Sequence, residues 1–116
     1  MHRIMLIVFA LLATTTPVAA QSLAAIDSVI SRSADPANGL ALARQQISSG
    51  ALTDALASLE RVILAHPAND EARLLHASLL CRLDDRRGSL VEFDNLRGHK
   101  FPDRLWQEAT QPCGGR

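Results

Sequence analysis

The chain has no tyrosine, one tryptophan and three phenylalanines, too few aromatic side chains for a sugar-binding platform built on stacked rings. Neither sign of charge dominates. Twelve basic residues face twelve acidic ones, and no block of like charge occurs. Nucleic acid demands a concentrated basic surface, and an acidic tail or a polybasic membrane patch would stand out as a run. Cysteine occurs twice, without a Cys-x-x-Cys pair or a haem-attachment motif, which leaves a dithiol redox motif without its residues. No glycine-rich phosphate loop, hydrolase elbow or Ser-His-Asp order is present. Long apolar runs are also scarce. The one uninterrupted run, residues 4–13, is about half of the roughly 20 residues that a helix needs to cross a bilayer.

That run sits in a recognisable setting. Arg3 precedes it, Pro17 breaks the helix after it, and Val18-Ala19-Ala20 places small residues at the minus-three and minus-one positions of a cut before Gln21. These are the parts of a cleavable secretory signal, predicted over residues 1–20. No cysteine lies near the cut for a lipoprotein-type attachment. Removal of 20 from 116 residues leaves 96, with 11 basic and 12 acidic side chains because Arg3 is lost. The expected product is one small exported domain, periplasmic in the first instance and otherwise secreted, with no integral span.

The mature chain reads as helix throughout. Leu23, Ile26, Val29 and Ile30 fall on one face over residues 22–31, and a break at Asp35-Pro36 follows. Asp35 suits an N-cap and Pro36 a first turn, where no amide partner is needed. A second helix, with Leu40, Ala43 and Ile47, ends at Gly50, which takes the left-handed conformation without strain. The third is the clearest, with Leu52, Ala55, Leu56, Leu59, Val62 and Ile63 at helical spacing before His66-Pro67. Asn69 caps a fourth, whose buried face is expected at Ala72, Leu75, Leu79 and Leu83. A fifth, capped by Asp85, turns Leu90, Phe93 and Leu96 inward. A short last helix covers residues 103–109, with Trp106 packing at the end of the domain, and residues 111–116 read as a loose tail around Cys113.

Shifted by one fixed step, the chain matches itself. Asp35 falls on Asn69, Leu40 on Leu74, Ala43 on Ala77, Ala55 on Ser89, Leu56 on Leu90 and Leu59 on Phe93, while Pro67 falls one residue before Pro102. A fixed period of about 34 residues, built of paired helices, is the signature of tetratricopeptide architecture, and the chain resembles that family. The first unit carries Leu42-Ala43, Gly50, Ala55, Leu59 and Pro67; the second carries His76-Ala77, Ser89, Phe93 and Pro102. The junction from His66 to Ala72 is of the family's type. Gly39 and Arg73 replace the family's tryptophan, and Gln46 and Leu80 its tyrosine. The expected fold is all-α: two helix-hairpin units, residues 35–68 and 69–102, between capping helices at 21–34 and 103–116. Small residues at Ala43 and Ala55, and at Ala77 and Ser89, permit close helix approach.

Chemistry is sparse. An even cysteine count in an exported chain predicts a Cys81–Cys113 disulfide, contributing roughly 3 to 4 kcal/mol by loop entropy. His76 and Cys81 lie about 140° apart around a helix, so they share no face for a metal. Asp84-Asp85-Arg86-Arg87 reads as a solvated turn whose arginines pair locally. No catalytic residue, metal site or cofactor is expected. The family resemblance implies that the first helix of each unit lines a groove. The candidates there are Leu40, Arg44 and Ile47, with Leu74, Ser78 and Arg82, able to receive an acidic or extended segment of another envelope protein. The expected function is a non-catalytic interaction or scaffold module, an adaptor or assembly accessory. The alternatives are a thiol-redox helper using Cys81 or Cys113 and a self-associating structural protein.

Overall fold

The computed structural model describes residues 18–114. The expected signal's charge and apolar run lie outside them, as do the last two residues of the tail. Among the described residues the chain is all-helical, six α-helices and one 3₁₀ turn, packed in adjacent pairs. The helices are α1 (Val18–Ala34), α2 (Pro36–Ser48), α3 (Leu52–Ala65), α4 (Asp70–Arg82), α5 (Arg86–Leu96) and α6 (Asp103–Thr110), followed by a 3₁₀ turn over Gln111–Cys113.

The sequence period is present in the backbone. α2 runs from Pro36 to Ser48, and α4 begins and ends exactly one period later, at Asp70 and Arg82. α1, α3 and α5 begin at Val18, Leu52 and Arg86, separated by the same step. Local chemistry sets these boundaries. The Asp35 and Asn69 side chains accept from the amides of Asn38 and Ala72, at 3.0 and 2.9 Å, and so cap α2 and α4. Asp85 caps α5 by accepting from the Gly88 amide at 2.8 Å. The turns between paired helices each need one residue with positive φ, supplied by Gly50 in one unit and Asp84 in the other.

Two cores follow from this repetition. The first joins Leu40 and Ala43 of α2, Ala55, Leu59 and Val62 of α3, and Ala72 and Leu79 of α4. The second joins Leu74 and Ala77 of α4, Phe93 and Leu96 of α5, Ala109 of α6 and Cys113. α4 therefore carries two apolar faces. Ala72, Leu75 and Leu79 look one way, and Leu74, Ala77 and Cys81 look the other. A helix apolar on both sides is one packed between two layers. Only the first of those faces follows from the spacing of large apolar residues in the sequence.

The small positions behave as steric reasoning requires. Ala43, Ala55, Ala77 and Ser89 are all fully buried, and the Ser89 hydroxyl donates to the Ala77 carbonyl at 2.6 Å, so α4 and α5 meet there without intervening side chains. In the first unit the buried Ser58 hydroxyl donates to Gln46 Oε1 at 2.8 Å and accepts from Arg61 at 3.2 Å. The Gln46 amide oxygen satisfies this buried hydroxyl, which would otherwise cost about 1 to 3 kcal/mol.

Four features differ from expectation. α1 runs from Val18 to Ala34, longer at both ends than the helix expected over residues 22–31. Its apolar face does not bury: Leu23, Ile26, Val29 and Ile30 are each about half exposed or more. Leu90 points outward rather than inward, at 50% exposure. The segment after α6 is not loose over its described part, because it forms the 3₁₀ turn that buries Cys113.

Candidate functional site

The expected groove separates into buried and accessible parts. Leu40 and Leu74 are core residues, at 6% and 1% exposure, and line no open surface. They occupy equivalent positions of the two units, on the sides of α2 and α4 that face the two cores. Ile47 is partly buried against the first core, Ser78 is half-buried, and Arg44 and Arg82 are exposed. Arg44 is engaged by Glu71, an ion pair that ties α2 to α4 across the surface. The accessible remainder is therefore a polar strip rather than an apolar trough.

The cysteines come together. Cys81 at the end of α4 and Cys113 in the 3₁₀ turn lie at disulfide distance, with Cα atoms 5.3 Å apart. Around them, the Ser89 hydroxyl is 3.1 Å from Cys113 Sγ, and Arg86 donates to the Cys113 carbonyl at 2.9 Å. Arg86 thus leaves the local pairing expected for the Asp84–Arg87 turn and holds the C-terminal segment instead.

The histidines do not converge. His76 is partly buried at the edge between α3 and α4, its Nε2 3.7 Å from Glu60 Oε1. His99 is exposed and bonded to Asp70 at 2.8 Å. Among the described residues no group of three or more His, Cys, Asp or Glu side chains is placed to hold a metal ion. Nor is any helix among them long and apolar enough to cross a membrane.

A second concave surface is not legible in the sequence. Every phenylalanine and tryptophan beyond residue 20 gathers at one place, between α5 and α6 and the turn joining them. Phe93 and Trp106 meet edge to face at 5.6 Å, Phe101 tilts against Trp106 at 5.7 Å, and His99 stacks on Phe101 at 6.5 Å. Geometries of this kind add roughly 0.5 to 1.5 kcal/mol per aromatic pair. The cleft beside them holds about 510 Å³ and has Leu90, Phe93, Phe101 and Trp106 among its walls. Asp103, at the start of α6, and Arg97, at the end of α5, stand on its rim. On the outer side of α6, Arg104 is held above its ordinary pKa, first by its hydrogen bond to Glu108 and then by that carboxylate's charge. A count of aromatics does not reveal such a cleft; their common location depends on how α6 packs.

Compared with protein-family models, with curated proteins and with solved structures, the chain matches none of them.

Proposed function

We propose that the chain is a non-catalytic protein–protein interaction module of the tetratricopeptide type. In this reading it is exported to the cell envelope by its N-terminal signal, with the periplasm as its destination, and serves as an adaptor or assembly accessory for another envelope protein. The observation that carries the reading is the recurrence of helix hairpins at one fixed step, with equivalent residues buried. Leu40 and Leu74, Ala43 and Ala77, Ala55 and Ser89, Leu59 and Phe93, and Val62 and Leu96 are five such pairs. Stacked hairpins bury their small residues internally and leave long, continuous outer surfaces for partners.

The test is crosslinking in intact cells, followed by capture of a C-terminally tagged copy and mass spectrometry. An Arg44→Glu, Arg82→Glu double variant is run beside it. One recurrent envelope partner is the expected result, and weakening by the variant would place its site on the polar strip of α2 and α4. Recovery of the protein alone, or of nothing, overturns the adaptor reading. One observation favours a second reading, self-association: the exposed apolar stripe Leu23, Ile26, Val29 and Ile30 of α1. Sedimentation at several concentrations tests it, and a strict monomer dismisses it.

A further inference from the structure

We infer that the cleft between α5 and α6 is a peptide-binding site. Its occupant is a short extended segment of the partner, carrying one bulky apolar or aromatic side chain next to a basic residue. This rests on the interaction-module reading and names where and what such a module would bind.

The origin of the cleft is visible in the repeat. Ala72, Leu75 and Leu79 of α4, which close the first core, correspond one period later to Trp106, Ala109 and Cys113, which close the second. α6 with its 3₁₀ turn therefore stands where the first helix of a third unit would stand. The closure is incomplete. α6 has eight residues where α4 has thirteen. In the first unit the corresponding positions are Ile63, packed against the core, and His76, at 14% side-chain exposure. Their counterparts are Arg97, which lies outside α5 and turns to Asp94 at 3.2 Å, and Thr110, whose hydroxyl donates to the Trp106 carbonyl at 3.0 Å. Both line the cleft, Thr110 as a buried wall. The counterpart of Leu56, partly buried in the first unit, is Leu90, at 50% exposure.

What is missing is one branched or ring-sized apolar group. A space of about 510 Å³ lies within the range of roughly 300 to 1,000 Å³ typical of ligand sites, enough for such a side chain with its flanking backbone. A single Trp with neighbouring rings in a recess is also the composition on which interfaces concentrate their energy. The rim sets the charge. Of the side chains lining the cleft, Arg97 is offset by Asp94, and the His99 ring is hydrogen-bonded to Asp70 at 2.8 Å. Asp103 has no ion-pair partner among the described residues. The uncompensated charge at the mouth is negative, so the complementary neighbour of the anchor is a lysine or arginine.

The only tryptophan of the chain lines this cleft, so indole fluorescence reports its occupancy directly. The experiment titrates the full mature protein with the blocked dipeptides Ac-Phe-Lys-NH2, Ac-Phe-Glu-NH2 and Ac-Ser-Lys-NH2, none of which contains indole. Ac-Phe-Lys-NH2 is expected to shift Trp106 emission saturably, about three-fold tighter than Ac-Phe-Glu-NH2, the size of one exposed ion pair. Ac-Ser-Lys-NH2 is expected to have no effect. Asp103→Asn should remove the Lys-over-Glu preference while leaving the Phe requirement. Leu90→Glu, at an exposed helix position, should weaken Ac-Phe-Lys-NH2 at least about ten-fold, the loss of one apolar wall contact, with circular dichroism unchanged. Absence of a saturable shift with either Phe peptide, or an undiminished one in Leu90→Glu, overturns the site. Failure here together with successful capture of a partner in cells would place that partner on another surface and leave the interaction-module reading standing.

Discussion

Gly50 and Asp84 occupy equivalent positions of the two units, and both adopt the left-handed backbone conformation, at φ 80° and 64°. Each turns the chain from the first helix of a unit into the second. A residue with a Cβ is strained in this region by about 1 to 2 kcal/mol, and aspartate is among the more tolerant. Nothing lies within 4 Å of a Cβ built on Gly50, so a substitution there is strained by the backbone alone. Gly50→Ala is expected to lower stability by about 1 kcal/mol and Asp84→Gly to raise it by up to about 1 kcal/mol. Urea denaturation of the two variants checks this. Equal destabilisation by both changes would show that the Asp84 side chain matters more than its backbone.

The helix–helix contacts impose a second symmetry. Ala43 and Ala77 are both fully buried, one facing each core. Enlarging either to leucine forces the paired helices apart. Overpacking of this kind costs about 1 to 3 kcal/mol, and thermal melts of Ala43→Leu and Ala77→Leu should show it at both sites. Ala77→Leu is expected to be the worse, because separation of α4 from α5 also breaks the 2.6 Å hydrogen bond from Ser89 to the Ala77 carbonyl. A silent Ala43→Leu would mean that the first pair has room that its burial does not suggest.

The C-terminal segment is tied to α4 at one cysteine pair. Cys81 and Cys113 are 32 residues apart in sequence and at bonding distance in space. Closing a loop of that length in the unfolded chain removes entropy worth about 3 to 4 kcal/mol. Dithiothreitol, or a Cys81→Ser, Cys113→Ala variant, should lower stability by that order, and the oxidised protein should take up no alkylating reagent before reduction. Uptake of two equivalents by the native, unreduced protein would remove the bridge from the account.

How much of this is legible in the sequence divides along a physical line. Helix positions are readable because their determinants are local: Asp35, Asn69 and Asp85 cap amides three residues on, and Gly50 ends α2 through its own backbone freedom. The paired cores are readable because the chain repeats, so each small residue has a counterpart. Outward and inward faces are less so. Leu90 has the spacing of a core residue and lacks only a neighbour, since the element that would cover it is short. Family resemblance puts Leu40 and Leu74 in a groove, although α4 packs between two layers and draws Leu74 into the second core. The aromatic cleft has no sequence signal, because Phe93, Phe101 and Trp106 meet only through the path of the turn between α5 and α6.

α1 differs from the other helices in what it buries. Leu23 is 67% exposed and Ile26 56%, against 0% for Leu59 on the third helix. Burial of a leucine side chain contributes about 1.5 to 3 kcal/mol, and truncation of a buried one costs about 2 to 5 kcal/mol once the cavity is included. Leu59→Ala should therefore fall in that range. A Leu23→Gln, Ile26→Gln double variant should change the stability of dilute protein by no more than about 1 kcal/mol, because exposed substitutions act within about 0.5 kcal/mol each. The comparison is made by urea denaturation at low and at high protein concentration. A loss in the double variant as large as that in Leu59→Ala, and independent of concentration, would mean that α1 buries its stripe within its own chain. A loss that appears only at high concentration would mean that another copy covers it, since stability then depends on the population of the assembled state.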